Sequence, residues 1–181
     1  ETGIHEEETN LQVALLLERY LTQAGATVVL TRKKDEAIGL HERVQIALEA
    51  GAELFVSIHH NGCFDPGVDT PQVFFHGKAS SNPDSVRLAR RLRAEFETLL
   101  GRTSGAVIRD NVMYDIGFAV LRHSFDHMPA VLGEPVFFTQ SNGARQLSDD
   151  EFLKAEARAY ANAIMGFFQE SPGRDSDPHA P

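Results

Sequence analysis

The sequence predicts one α/β domain, a three-layer arrangement with a mostly parallel, twisted sheet between helices. Segments with apolar residues at helical spacing alternate along the chain with short apolar runs rich in β-branched residues, the order typical of such a sheet. We find no internal repeat and no linker between Glu6 and Gln169. A chain of 181 residues that is 42% apolar is long enough to form one sizeable core.

The first part of the chain predicts two helices and two strands. Glu7–Ala24 has apolar residues at helical spacing and is followed by Gly25, a common helix stop. The β-branched run Ala26–Thr31 predicts a buried strand. A second helix is predicted over Leu40–Ala50, and the apolar run Leu54–Ile58 predicts the next strand. The apolar face of the first helix consists of Leu11, Ala14, Leu15, Leu17 and Leu21.

The middle of the chain predicts a strand, a long helix and a second strand. The strand covers Gln72–His76, and Asn82 or Asp84 caps a helix that ends at Leu100. Gly101–Asp115 is polar and predicts irregular structure. The apolar run Phe118–Leu121 predicts a strand.

The last part predicts a strand, a helix and a tail. Pro129–Phe138 contains the strand, and Ser148 with Glu151 matches a capping box for a helix that runs to about Gln169. Residues 171–181 have too little apolar content to order themselves and predict a disordered polar tail. The predicted domain therefore spans residues 1–170.

Charge and hydropathy exclude two classes of partner. The formal net charge of −9 argues against nucleic acid, whose binding proteins need a basic surface. No apolar run approaches the roughly 18 residues of a membrane span. The single cysteine, Cys63, cannot form a disulfide within the chain.

The most informative segment is the strand Leu54–Ile58, which ends in His59, His60 and Asn61. In α/β domains the carboxyl ends of strands open into the crevice where ligands bind. A histidine fixed there is a good zinc ligand, although many such histidines only cap the strand. Asn61 either hydrogen-bonds a ligand or turns the chain.

Two carboxylates accompany this histidine. Glu6 lies in the first turn of the opening helix, where it is either a second metal ligand or an acidic residue favoured by the helix dipole. Glu134 stands alone within the apolar run P-A-V-L-G-E-P-V-F-F. Carboxylates are seldom buried without a partner, and burial near a cation suits a general base.

Several segments, in this order and spacing, resemble the zinc-dependent N-acetylmuramoyl-L-alanine amidases of bacterial cell-wall turnover, the amidase-3 family. The resemblance covers almost the whole chain. The segments are G-I-H-E-E-E-T-N-L-Q-V-A, A-G-A-T-V-V-L-T-R-K-K-D, L-H-E-R-V-Q-I-A, F-V-S-I-H-H-N-G, A-V-L-R-H-S and P-A-V-L-G-E-P-V-F-F.

The resemblance implies a role for each candidate residue. Glu6 and His59 would bind Zn²⁺, Glu134 would be the catalytic carboxylate, and Asn61 would contact the substrate. The substrate would be peptidoglycan, cut at the amide between N-acetylmuramic acid and L-alanine of the stem peptide. An extracytoplasmic location, in the periplasm, in the cell wall or secreted, follows from that substrate. The resemblance leaves open whether a partner protein activates the enzyme.

The chain departs from the family pattern at its start. The family's first zinc histidine lies in a D-P-G-H-G segment, at the end of a strand that precedes the ligand glutamate. We find no such segment here and expect the first strand and the third ligand to be missing from this sequence. His5 and His60 are poor substitutes, because His5 adjoins Glu6 and His60 points away from His59.

Two other functions stay open. A non-catalytic wall-binding or regulatory relative would have kept the fold and lost the metal, and a zinc hydrolase could act on a different amide. The segments Phe64–Gln72 and Arg102–Asp115 are too short for a long inhibitory helix. We therefore expect the site to be accessible.

Overall fold

The computed structural model of the protein describes residues 3, 5–63, 65, 70–101 and 103–170, and these contain six α-helices and four β-strands. The predicted tail, residues 171–181, lies outside the described residues, as do several positions between 64 and 69. In chain order the elements are α1 (Glu6–Gln23), α2 (Leu40–Glu49), β1 (Phe55–Ile58), β2 (Gln72–Phe75), α3 (Pro83–Leu100), β3 (Ala106–Arg109), α4 (Ala119–Ser124), β4 (Ala130–Glu134), α5 (Ser141–Leu147) and α6 (Asp150–Gln169).

The sheet has the strand order β1-β4-β2-β3 and is mostly parallel, as predicted. β1 pairs with β4 and β2 with β3 in parallel, whereas β2 and β4 are antiparallel. Because β1 and β4 run in the same direction, their carboxyl ends meet at one edge of the sheet. The predicted site residues His59 and Glu134 lie at these two ends.

Helices cover both faces of the sheet, which confirms the three-layer prediction. On one face α1, α3 and α6 pack with Val73 and Val131 of the sheet. On the other face α2 and α4 pack with Phe74 and Leu132. Neighbouring residues of β2 and β4 thus alternate between two apolar clusters, as the pleat of a strand requires. Burial on both faces explains why these strands read as continuous apolar runs.

The predicted strand Ala26–Thr31 is wrong for the structure described, because this segment belongs to no strand. A groove of about 1020 Å³ separates it from β1 and is also lined by Leu11 and Ala14 of α1. Among the described residues, β1 is an edge strand that pairs only with β4. A segment forms a strand only where its backbone N–H and C=O groups pair with another strand. Ala26–Thr31 faces the groove and has no such pairing among the described residues.

Two further predictions are wrong in the second half. Ala106–Arg109, predicted to be irregular, forms β3 and pairs with β2. Phe118–Leu121, predicted to be a strand, contributes to the helix α4, in which Val120, Leu121 and Ser124 are buried. These buried residues lie one and four positions apart, which is the spacing of a helix face. The four-residue apolar run is too short to show that spacing in the sequence.

The last helix begins one residue later than the capping box predicted. Asp149 is the N-cap of α6, and its side chain accepts a hydrogen bond from the backbone N–H of Glu151. The short helix α5 was not predicted. None of the helices within the described residues has the length and apolar character needed to cross a membrane.

Candidate active site

Glu6 and His59 lie in contact at the carboxyl end of β1. The Nδ1 atom of His59 is 2.9 Å from Oε1 of Glu6. The same oxygen accepts hydrogen bonds from the Asn10 side chain at 3.1 Å and from the backbone N–H of His60 at 3.2 Å. Burial by itself would raise the pKa of Glu6, but the hydrogen bonds and the nearby His59 outweigh it and lower the pKa. Glu6 is therefore held as an ionised carboxylate.

Glu134 is the neighbour of this pair across the sheet. Ile58 of β1 is paired in register with Gly133 of β4, so the next residues, His59 and Glu134, lie at adjacent positions. The backbone N–H of His59 donates to Gly133 O at 3.0 Å. Burial raises the pKa of Glu134 to about 7; the nearby His59 and His60 oppose this rise and Glu6 adds to it. Glu134 thus exchanges a proton near neutral pH, as a general acid–base does.

This raised pKa predicts how stability depends on pH in the metal-free protein. The carboxyl of Glu134 ionises near 4.5 when unfolded and near 7 when folded. Between these values the folded state keeps a proton that the unfolded state has lost, so the free energy of unfolding falls as pH rises from 4.5 to 7. The Glu134→Gln variant cannot ionise and should be more stable than the parent above pH 7, by about 3 kcal/mol.

Urea unfolding of the two proteins between pH 4 and 8 measures this difference. The two free energies should converge below about pH 4.5 and separate progressively above it. Because all other groups are common to both proteins, the difference reports Glu134 together with its electrostatic coupling to Glu6, His59 and His60. A constant difference across this pH range would contradict the raised pKa.

Asn61 lies beside the site but its amide is already engaged. Its Nδ2 donates to Oε1 of Gln72 at 2.9 Å, and its backbone forms an isolated bridge with Phe137. This bond uses one of the two N–H donors, so a ligand could be contacted through Oδ1, which accepts hydrogen bonds, or through the second N–H. The bridge also shows that the chain after β1 runs parallel to the chain after β4.

His60 was not predicted as a site residue, yet it is buried directly behind Glu6. Its Nδ1 lies 2.8 Å from Asn10 Oδ1, and its Nε2 lies 3.2 Å from Oε2 of Glu156 in α6. Burial would lower the pKa of His60, but the charge and hydrogen bond of Glu156 outweigh it and raise the pKa. Glu156 lies three residues after Leu153 and four before Tyr160, on the apolar face of α6. This spacing was the sequence signal for the burial of Glu156.

The structure brings two of the predicted candidate ligands, Glu6 and His59, into contact with each other. Among the described residues no group of three or more His, Cys, Asp or Glu side chains is arranged to hold a metal. His5 is exposed and lies 3.8 Å from Glu7, and His60 faces Asn10 and Glu156. Neither histidine contacts the Glu6–His59 pair through its imidazole ring.

The Glu6–His59 pair is reachable from solvent, since 30% of the Glu6 side chain and 37% of the His59 side chain are exposed. An accessible carboxylate–imidazole pair beside a carboxyl group of raised pKa, at the ligand-binding edge of an α/β sheet, is typical of a functional site.

Comparison with known proteins identifies the family. The sequence pattern of the N-acetylmuramoyl-L-alanine amidases, the amidase-3 family, matches residues 1–165, and the chain belongs to this family. Among solved structures, the catalytic domain of CwlV, an N-acetylmuramoyl-L-alanine amidase from Bacillus (Paenibacillus) polymyxa var. colistinus, superposes with a TM-score of 0.80. It is 28% identical, and the match covers 93% of this chain and 88% of that one.

Two proteins of Bacillus subtilis (strain 168) are similar in sequence. The N-acetylmuramoyl-L-alanine amidase LytC is 29% identical over 92% of this chain, which spans only 32% of LytC. YqiI is 31% identical, over 93% of this chain and 77% of YqiI. This chain thus corresponds to about a third of one relative and most of the other.

Proposed function

We propose that this chain is the catalytic unit of a zinc-dependent peptidoglycan amidase, which hydrolyses the amide between N-acetylmuramic acid and L-alanine of the stem peptide. The observation that carries the proposal is the position of Glu134, with its pKa near 7, beside the Glu6–His59 pair. Membership of the amidase family supports the same reaction. The substrate implies an extracytoplasmic location, in the periplasm, in the cell wall or secreted.

The donor atoms of Glu6 and His59 fit zinc. Carboxylate oxygen and imidazole nitrogen both bind Zn²⁺ at about 2.0–2.2 Å, which separates tetrahedral ligands by about 3.3 Å. The 2.9 Å between Oε1 and Nδ1 therefore needs to open only slightly, with an ion replacing the shared proton. A third ligand would come from outside the described residues, as expected from the family's upstream histidine.

The chain's own residues supply the proton transfer. When bound, zinc lowers the pKa of its water and polarises the scissile carbonyl. Glu134 accepts the proton of the attacking water and delivers it to the nitrogen of the leaving L-alanine. Burial disfavours the ionised form of Glu134, which makes this carboxylate a ready proton acceptor in the site. Oδ1 of Asn61 would accept a hydrogen bond from the substrate.

Digestion of purified peptidoglycan tests the proposal. An amidase releases free stem peptides with a new L-alanine amino terminus and leaves the glycan strands uncut. We expect this release to stop with a chelator and to return with Zn²⁺. Hydrolysis of other amides without stem-peptide release would indicate a different zinc hydrolase. Binding to peptidoglycan without any cleavage would indicate a non-catalytic relative.

A further inference from the structure

A buried set of polar side chains lies behind Glu6. It consists of Asn10 on α1, His60 after β1 and Glu156 on α6. The side chains of His60 and Glu156 are fully buried. Asn10 connects them to the site, because its amide donates to Oε1 of Glu6.

The hydrogen-bond directions in this set follow from chemistry. Oε1 of Glu6 also accepts the His60 backbone N–H, and the Asn10 atom that faces it is the amide nitrogen, Nδ2, which donates. The other end of the Asn10 amide, Oδ1, then faces His60 and also only accepts. Consequently Nδ1 of His60 carries a proton and donates it to Asn10.

Glu156 fixes the other side of the imidazole ring. Its Oε2 lies 3.2 Å from Nε2 of His60, whereas its Oε1 is buried without a hydrogen-bond partner among the described residues. A buried carboxyl group with one oxygen unpartnered is costly. The contact with His60 is its only side-chain hydrogen bond within the described residues, which ties the ring firmly to α6.

We propose that His60 is a positioning residue, which orients the Asn10 amide through Nδ1 and thereby holds Oε1 of Glu6 for metal binding. The relay runs from Glu156 to His60, to Asn10 and then to Glu6. Outer partners of this kind fix the orientation of a metal ligand. The inference depends on the proposed role of Glu6 as a zinc ligand.

Two variants of His60 separate the two ends of the ring. In His60→Asn the side-chain nitrogen replaces Nδ1, so the hydrogen bond to Asn10 is kept and the contact with Glu156 is lost. In His60→Gln the nitrogen replaces Nε2, so the contact with Glu156 is kept and the hydrogen bond to Asn10 is lost. We expect zinc affinity to fall about tenfold in His60→Gln and to stay within about twofold of the parent in His60→Asn.

Thermal stability should fall more in His60→Asn than in His60→Gln, because His60→Asn leaves Glu156 unpaired in the interior. Zinc affinity is measured on the metal-stripped full chain by competition with a chromophoric chelator. If zinc affinity is weakened equally in both variants, or more in His60→Asn, His60 has only a structural role and the proposal fails.

The ring protons of His60 provide a test that needs neither zinc nor a variant. In ¹⁵N spectra of the metal-free parent chain, Nδ1 should carry a proton. An unprotonated Nδ1 would overturn the inference even if the variants did not fold. Absence of zinc binding by a parent chain with protonated Nδ1 would instead contradict the proposed function and leave the relay intact.

Discussion

Replacing Glu134 by glutamine should reduce the release of stem peptides from peptidoglycan by about 10²- to 10⁴-fold, the usual effect of removing a general acid–base. Glutamine has the same shape but cannot take a proton from water or pass it to the leaving nitrogen. The folded state should survive, since the variant also removes a carboxylate that burial disfavours at neutral pH.

The measurement is the initial rate of stem-peptide release at pH 7, together with circular dichroism and thermal unfolding. Glu49→Gln makes the same chemical change at the exposed end of α2 and should keep full activity. If Glu134→Gln retained more than about a tenth of the parent rate, Glu134 would not be the general base. Loss of activity with higher stability at neutral pH is the combined result that we expect.

His59→Ala should weaken zinc binding by more than the roughly 10- to 100-fold that loss of an outer partner costs. The substitution removes the imidazole that faces Oε1 of Glu6 and leaves one proposed ligand on the described chain. Amide hydrolysis should be lost in parallel. Because 37% of the His59 side chain is exposed, the effect on folding should be small.

Zinc content after dialysis and affinity by chelator competition measure this effect. His127→Ala removes an exposed histidine after α4 and should leave both quantities unchanged. Equal zinc affinity in the parent and in His59→Ala would exclude His59 as a ligand. A parent chain that hydrolyses peptidoglycan after complete removal of zinc would contradict the metal dependence itself.

The strands that carry the site were predictable because their sequences are unusual locally. The run Leu54–Ile58 is apolar and ends abruptly at His59, and Glu134 interrupts a second apolar run. Both segments are buried by helices on the two faces of the sheet, and this burial produces the continuous apolar pattern. The proximity of His59 and Glu134 then follows from parallel pairing.

Elements that depend on distant partners were not predictable. Ala26–Thr31 has the composition of a strand, but no described strand pairs with it. The four residues of β3 lie in a polar context and are fixed by pairing with β2. The burial of His60 depends on Glu156, which is 96 residues away in the chain. The sequence indicated only that His60 points away from His59.

The side of β1 that faces the groove has a consequence for what can pair with this strand. The backbone N–H groups of Phe55 and His59 donate to Pro129 O, just before β4, and to Gly133 O of β4, so those of Val56 and Ile58 point towards the groove. Exposed strand edges with unpaired donors and acceptors recruit extended peptides and other copies of the same chain. Among the described residues, these two N–H groups are therefore positioned to pair with one further strand laid along the groove.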